Sequence, residues 1–313
     1  MVISAHPRTI GLLPYPSLYW RFLISVFSFF SISSDPLQCG FDKGASTCQC
    51  TWTILEVTSY SLRNGSEVFG CFLDFSKAFS KVNFKHLFTK LIARKVPFIF
   101  LRLLFIYRRH RCCVKWNSSK SQFFSVNNGV RQGAVVSLTL FCVYLDSLLV
   151  SLRNSGLGCH ISNLLLGALG YADDIILLAP TRQALQKMLK ICEEFACTHS
   201  MQFITDPNPT WSKTKCVFFS LKKLGVVSEP VILNGDPLPW VDTAKHLGNE
   251  LSTKINKELL CPDTSHDLLV KRVIFYNRVY SLFLVSFLLA VSKCMISVSL
   301  LKRYVDHINI YWC

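Results

Sequence analysis

Hydrophobic and polar positions change period several times between residues 67 and 221, and each change predicts an element. "EVFGCFLDF" (67–75) is short, aromatic and almost wholly apolar, which predicts a buried strand delivering Asp74 at its end. Next, Asn83 can cap a helix in which Leu87, Phe88, Leu91 and Ile92 recur at helical spacing. "VRQGAVVSLTLFCVYLDSLLVSL" (130–152) predicts a longer helix entered through a glycine turn. Two apolar runs, "SNLLLGALGY" and "IILLA", flank Ala172-Asp173-Asp174 like the arms of a hairpin. Thr181 opens a third helix with Leu185, Met188, Leu189, Cys192, Phe195 and Ala196 on one face, and "KCVFFSL" (215–221) closes the series as a strand.

Strand, helices, hairpin, helix, strand is the order of an α+β fold, a ferredoxin-like split βαβ sheet with helices on one face. On such a sheet Asp74, at a strand end, can meet Asp173 and Asp174 at a neighbouring hairpin tip, across 99 residues of sequence. An isolated Asp-Asp pair most often marks an exposed turn. Apolar arms on both sides argue for a different role, because burying carboxylates beside a core costs stability unless a cation offsets them. Two carboxylates about 4 Å apart repel by roughly 4 kcal/mol at an effective dielectric near 20. Hard divalent ions such as Mg²⁺ prefer carboxylate oxygens and keep positions for phosphate oxygens and water, and two of them can clamp an in-line phosphoryl displacement.

Charge sharpens this picture. The chain carries 34 Lys and Arg against 19 Asp and Glu, a formal net charge of +15. From Phe75 to Leu145 there is no acidic residue, while 13 cationic ones, Lys77 through Arg131, fall inside. Surface helices usually intersperse both signs, so an acid-free block of this length predicts a face turned toward a polyanion; a solvated basic face is the plainer alternative. The 14 cysteines are scattered without a disulfide framework or the paired spacing of a zinc knuckle, which suits a reducing, intracellular compartment, cytoplasmic or nuclear. "FLISVFSFFSIS" (22–33) is short for a membrane span, and the longer 279–301 run carries Lys293, so buried helices are favoured over insertion and membrane association stays open.

"FLDFSKAFSKVNFKHLFTKL", "NNGVRQGAVVSLTLFCVYLDSLL", "YADDIILLA", "KTKCVFF" and "HLG", in this order, resemble the successive motifs of reverse transcriptases of non-LTR (LINE-type) retrotransposons, and "LQCGFDKGASTCQCTWTILEV" resembles the finger region that precedes them. The resemblance implies a polymerase palm with partial fingers and an incomplete or divergent thumb. It implies an RNA-directed DNA polymerase, a nucleotidyltransferase using two Mg²⁺ ions (Mn²⁺ a possible substitute), an RNA template, a DNA primer and deoxynucleoside triphosphates. By position, Asp74, Asp173 and Asp174 match the catalytic metal ligands, and the backbone carbonyl of Phe75 completes the metal's coordination. Phe79 matches the aromatic residue under the incoming sugar, and Gln132 and Gly133 match the pair contacting nucleotide and template. Lys213 resembles the basic residue near the departing pyrophosphate, although an ordinary surface lysine would read the same way. His246 to Gly248 look like the primer-grip turn.

Ser80 stands where the family pattern has a second aspartate, and the likeness fades toward both ends. The expected organisation is a divergent apolar segment over 1–35, a fingers-palm domain over 36–252 and a divergent apolar tail over 253–313. Two other readings accompany the enzyme: a catalytically inactive retroelement remnant that binds nucleic acid, and a membrane-associated protein. Oligomeric state is not legible.

Overall fold

The computed structural model describes residues 35–40 and 46–253, apart from 109–110, 114, 117–118, 126–127, 131–134, 207, 209–211 and 222–228. The chain divides into two compact units, Met1–Val270 and Lys271–Cys313, and every described residue belongs to the first. Most of the two apolar end segments, with the 279–301 run, therefore lies outside the described residues.

Helix α1 (Thr47–Arg63) starts at a capping box: the Ser46 hydroxyl accepts from Gln49 N–H while the Gln49 side chain accepts from Ser46 N–H. It is followed by β1 (Val68–Leu73), a short turn of helix α2 (Ala78–Lys81), α3 (Phe84–Ala93) and α4 (Phe98–Arg108). Then come α5 (Val135–Asn154), the hairpin β2 (Ala168–Tyr171) and β3 (Asp174–Ala179), α6 (Arg182–His199) and β4 (Lys215–Phe219). A last hairpin, β5 (Thr243–His246) and β6 (Asn249–Ser252), turns through Leu247 and Gly248, both at positive φ as a tight two-residue turn requires. The expected caps are present: Asn83 Oδ1 accepts from Lys85 N–H at 2.9 Å and Thr181 Oγ1 from Ala184 N–H at 3.1 Å.

β1 to β4 form one antiparallel sheet in the order β4-β1-β3-β2, the order of a split βαβ fold. Phe69, Cys71 and Leu73 of β1 join Ile175, Leu177 and Ala179 of β3 in the main core beneath α5 and α6. The alternate residues Val68, Gly70 and Phe72 are buried as well. A strand buried along its whole length needs cover on both faces, and α1, whose Ile54 and Val57 are fully buried outside that main cluster, touches β1 and β2. The expectation of helices on one face therefore holds for α5 and α6, with α1 as an addition.

Helix α5 is the centre of the packing: Phe141, Tyr144, Leu145 and Leu148 are inaccessible to solvent. Tyr144 Oη donates to the His199 carbonyl at 2.8 Å and accepts from Asn83 N–H at 3.3 Å, tying α3, α5 and α6 together. On α3, Phe84, Leu87 and Leu91 point inward, whereas Ile92, expected on that face, is 60% exposed. Periodicity alone misplaced it because Leu91 and Ile92 are adjacent in a helix of fewer than three turns, which leaves the edge of the apolar stripe undefined. Two members of the basic block also turn inward. Lys90 donates to the Tyr144 carbonyl and to Ser147 Oγ, and Arg94 pairs with Asp146. Burial lowers the Lys90 pKa to about 8, opposed by the nearby Asp146 carboxylate. Lys77, Lys81, Lys85, Lys95 and Arg102 remain exposed.

Candidate active site

Three strand ends meet at one edge of the sheet. The β1–β3 register pairs Leu73 with Ile175, so continuing it one residue sets Asp74 level with Asp174. The β1–β4 register pairs Phe72 with Lys215, so two residues further Asp74 is level with Lys213. Asp174, Asp74 and Lys213 thus form a row across three neighbouring strands, and Asp173 stands beside it in the β2–β3 turn. Lys213 Nζ lies 3.3 Å from Asp74 Oδ2, and Thr214 Oγ1 accepts from Asp74 N–H at 3.4 Å.

The hairpin turn consists of Ala172 and Asp173 between the paired Tyr171 and Asp174. Ala172 has φ 58°, a conformation that side-chain-bearing residues adopt at a cost, so the turn is held by its surroundings. Those surroundings include residues 35–40. Gln38 is 2% exposed and its side chain contacts both peptide groups of Ala172: Oε1 accepts from Ala172 N–H at 3.0 Å and Nε2 donates to the Ala172 carbonyl at 3.4 Å. Cys39 N–H donates to the Gly170 carbonyl at 2.7 Å and Gly170 N–H to the Leu37 carbonyl at 2.8 Å, a parallel bridge alongside β2. In sequence this segment resembles a finger region, and nothing in it marks a contact with the tip. A hydrophobic period could not reveal it, since the contact is between side-chain amide and backbone.

The electrostatics at the tip follow from crowding. Burial raises the Asp174 pKa to about 6, with the Asp173 and Asp74 carboxylates adding to the rise and Lys213 opposing it. Asp173 is also raised, first by burial and then by Asp74, while its hydrogen bond to backbone and Lys213 act the other way. Asp173 and Asp174 therefore both sense the Asp74 carboxylate and the Lys213 ammonium. Among the described residues no group of three His, Cys, Asp or Glu side chains is drawn together tightly enough to hold a metal ion. The donor set nonetheless suits a hard cation: it is all carboxylate oxygen, mutually repulsive, and Asp74 already pairs with a positive group.

The remaining expected site residues divide. Phe75 stacks on Phe203 with ring centroids 4.3 Å apart, and the ladder bonds beside that pair run from Ser76 N–H and to the Asp74 carbonyl, leaving the Phe75 carbonyl outside them. Phe79 stacks on Phe141 at 4.5 Å, so it serves the packing of α5. Val130 N–H donates to the Phe79 carbonyl at 2.8 Å, which brings the start of the "VRQG" stretch to Phe79. Gln132 and Gly133, with Arg131, lie outside the described residues. Ser80 is exposed, and Gly129 packs so closely on its backbone that a Cβ there would meet Ser80 Cα at 2.9 Å. At the β5–β6 turn His246 is 5% exposed, tilted against Phe72 at 5.3 Å, and burial lowers its pKa to about 4. No helix among the described residues is long and apolar enough to cross a membrane.

A four-stranded antiparallel sheet with this strand order, acids at adjacent strand ends and helices packed beneath is the palm of a nucleic-acid polymerase. The chain belongs to the reverse transcriptase (RNA-dependent DNA polymerase) family, whose model matches residues 26–251. It is 28% identical over 225 residues to the retrovirus-related Pol polyprotein from the type-2 retrotransposable element R2DM of Drosophila melanogaster, covering 70% of this chain and 21% of that relative. It is 32% identical over 123 residues to the Pol polyprotein from the type-1 retrotransposable element R2 of Nasonia vitripennis, covering 39% of this chain and 12% of that one. The chain thus spans about a fifth or less of the curated relatives' length. Among solved structures, apo telomerase from Candida tropicalis, truncated from its C-terminal domain, shares the fold with a TM-score of 0.51 at 12% identity, over 76% of this chain and 44% of that one. These matches make the reverse transcriptase domain one of the non-LTR retrotransposon kind.

Proposed function

We propose that the chain is an RNA-directed DNA polymerase domain that adds deoxynucleotides to a primer 3′-hydroxyl, with residues 36–252 as its fingers-palm unit. The reading rests on the row of strand-end residues Asp174, Asp74 and Lys213, with Asp173 at the adjoining turn. In the reaction a primer 3′-oxygen bonds to the α-phosphorus of a deoxynucleoside triphosphate, the bond from that phosphorus to the bridging oxygen breaks, and pyrophosphate leaves. Asp74, Asp173, Asp174 and the Phe75 carbonyl would hold the divalent cations, two Mg²⁺ with Mn²⁺ as substitute. When bound, such ions ease loss of the hydroxyl proton and neutralise charge on the leaving group.

The chain's own groups do the rest. Lys213, 65% exposed and 3.3 Å from Asp74, would stand beside the departing pyrophosphate and offset its charge. Phe79 lies beneath the sugar, its ring fixed by Phe141, and Gln132 and Gly133 contact nucleotide and template. Exposed Lys77, Lys81, Lys85, Lys95 and Arg102 track the phosphates of RNA template and DNA primer, which makes binding steeply salt-dependent.

Primer extension by the purified chain on an RNA template, with Mg²⁺ or Mn²⁺, tests this. Extension that disappears in Asp173→Asn is the expected result. Equal product from wild type and variant, or none from either, rejects the enzyme, and retained template binding in the second case identifies a nucleic-acid-binding remnant.

A further inference from the structure

The nucleotidyl-transfer reading assigns roles to the acids at the hairpin tip and none to whatever keeps the tip in shape. We propose that Gln38 is a positioning residue for that reaction: its carboxamide holds the Ala172 peptide groups in the left-handed turn that fixes the Asp173 and Asp174 carboxylates relative to Asp74.

Three independent observations support this. The first is the pair of hydrogen bonds. A turn residue at φ 58° gains no ladder partner for its own N–H and C=O, and both groups are met by one side chain, at 3.0 and 3.4 Å. The Gln38 amide acts as a detached peptide group laid against the turn. Asn would fall short by a methylene, and a carboxylate would lack the donor and add charge beside three acids.

The second observation is the space reserved for this contact. A Cβ on Gly170 would come within 3.2 Å of Gln38 Nε2, and a Cβ on Gly40 within 2.4 Å of Ala172 N. Glycine at both positions lets the segment lie flat on the hairpin. Gly40 N–H also donates to Gln38 Oε1 at 3.0 Å, which orients the amide so that its oxygen faces Ala172 N–H.

The third is that the segment is anchored elsewhere. Asp35 pairs with Arg153 of α5 at 2.6 Å, and its backbone N–H donates to the Asp146 carboxylate. Asp35 Oδ1 accepts from Leu37 N–H at 3.0 Å, and its carbonyl accepts from Gln38 N–H at 2.8 Å. Gln38 therefore transmits the position of α5, the helix at the centre of the packing, to the turn. The consequence is geometric. A tip released by loss of both bonds relaxes toward an ordinary φ at Ala172, which rotates the Asp173 side chain away from the row.

The test compares Gln38→Met, which keeps volume and removes both hydrogen bonds, with Leu37→Ala, which loosens the same segment and keeps them. Amide hydrogen exchange is read at Ala172 and at Leu177 in the centre of β3, Mn²⁺ binding by electron paramagnetic resonance, and single-nucleotide extension as kcat and KM. In Gln38→Met, exchange at Ala172 is expected to rise about tenfold with Leu177 unchanged, as for one lost backbone hydrogen bond. Mn²⁺ binding should weaken about tenfold, and kcat should fall about 10- to 100-fold at nearly constant nucleotide KM. Leu37→Ala should lower the unfolding midpoint without these local effects. Unchanged exchange at Ala172 in Gln38→Met, or equal losses of kcat in the two variants, overturns the assignment. Should wild type make no product, the polymerase reading fails by itself, and exchange with Mn²⁺ binding still decides whether Gln38 shapes the tip.

Discussion

Replacing Asp174 by Asn should make the metal-free protein more stable, and only at pH values where Asp174 is ionised. The folded carboxyl titrates near pH 6 against an ordinary value of 3.8, because burial and then the Asp173 and Asp74 carboxylates disfavour its charged form. Between those two values the folded state holds more protons than the unfolded one, so stability falls as pH rises through the interval. Below about pH 3.8 the penalty is absent, and above about pH 6 it is complete. About two pH units correspond to roughly 3 kcal/mol for a fully shielded group. Asp174 is only partly shielded from solvent, so about 1–2 kcal/mol is the reasonable size. Asn keeps the shape and removes the charge. Urea unfolding of wild type and Asp174→Asn, in the presence of a chelator, should give a gain of that size for the variant at pH 8 and little difference at pH 4. Adding Mg²⁺ at pH 8 should then stabilise wild type more than the variant, by linkage to the cation. A variant no more stable than wild type at pH 8, or one equally stabilised at pH 4, would refute the account of carboxylate crowding.

Other outcomes follow from the same structure. Gly40→Ala, whose Cβ would stand 2.4 Å from Ala172 N, should cost about 1–3 kcal/mol by calorimetry, as overpacking against backbone does. Leu148→Ala, at a fully buried position of α5, should cost about 2–5 kcal/mol in urea unfolding. His246 is held neutral with its pKa lowered to about 4 from 6.5, so it contributes stability above pH 6.5 that is lost as pH falls toward 4; His246→Phe should flatten that part of the pH-stability curve. Lys213→Met should raise the Asp174 titration midpoint, followed by carboxyl NMR, since it removes the cation that opposes the rise.

Much of the fold was legible beforehand because its elements announce themselves locally. The apolar run before Asp74, the caps at Asn83 and Thr181 and the helical stripe from Leu185 to Ala196 each depend on neighbours within a turn or two, and each is found as expected. Their order implied the split βαβ sheet, and the sheet implied that Asp74 would meet the hairpin tip. Ile92 and Lys90 went astray for opposite reasons. An apolar residue at the edge of a wide stripe can face solvent, and a lysine can be buried when a helix offers it a carbonyl and a hydroxyl.

What the sequence by itself determined is therefore the set of strands and helices and the acids at their ends, since periodicity and capping are short-range properties. Tertiary structure alone decided the partners. It joined Lys213 to Asp74 through register across 139 residues, and seated Gln38 on a turn 134 residues away. Contacts of this kind depend on how strands are aligned and helices stacked, and a side-chain amide meeting a backbone peptide leaves no period in the chain.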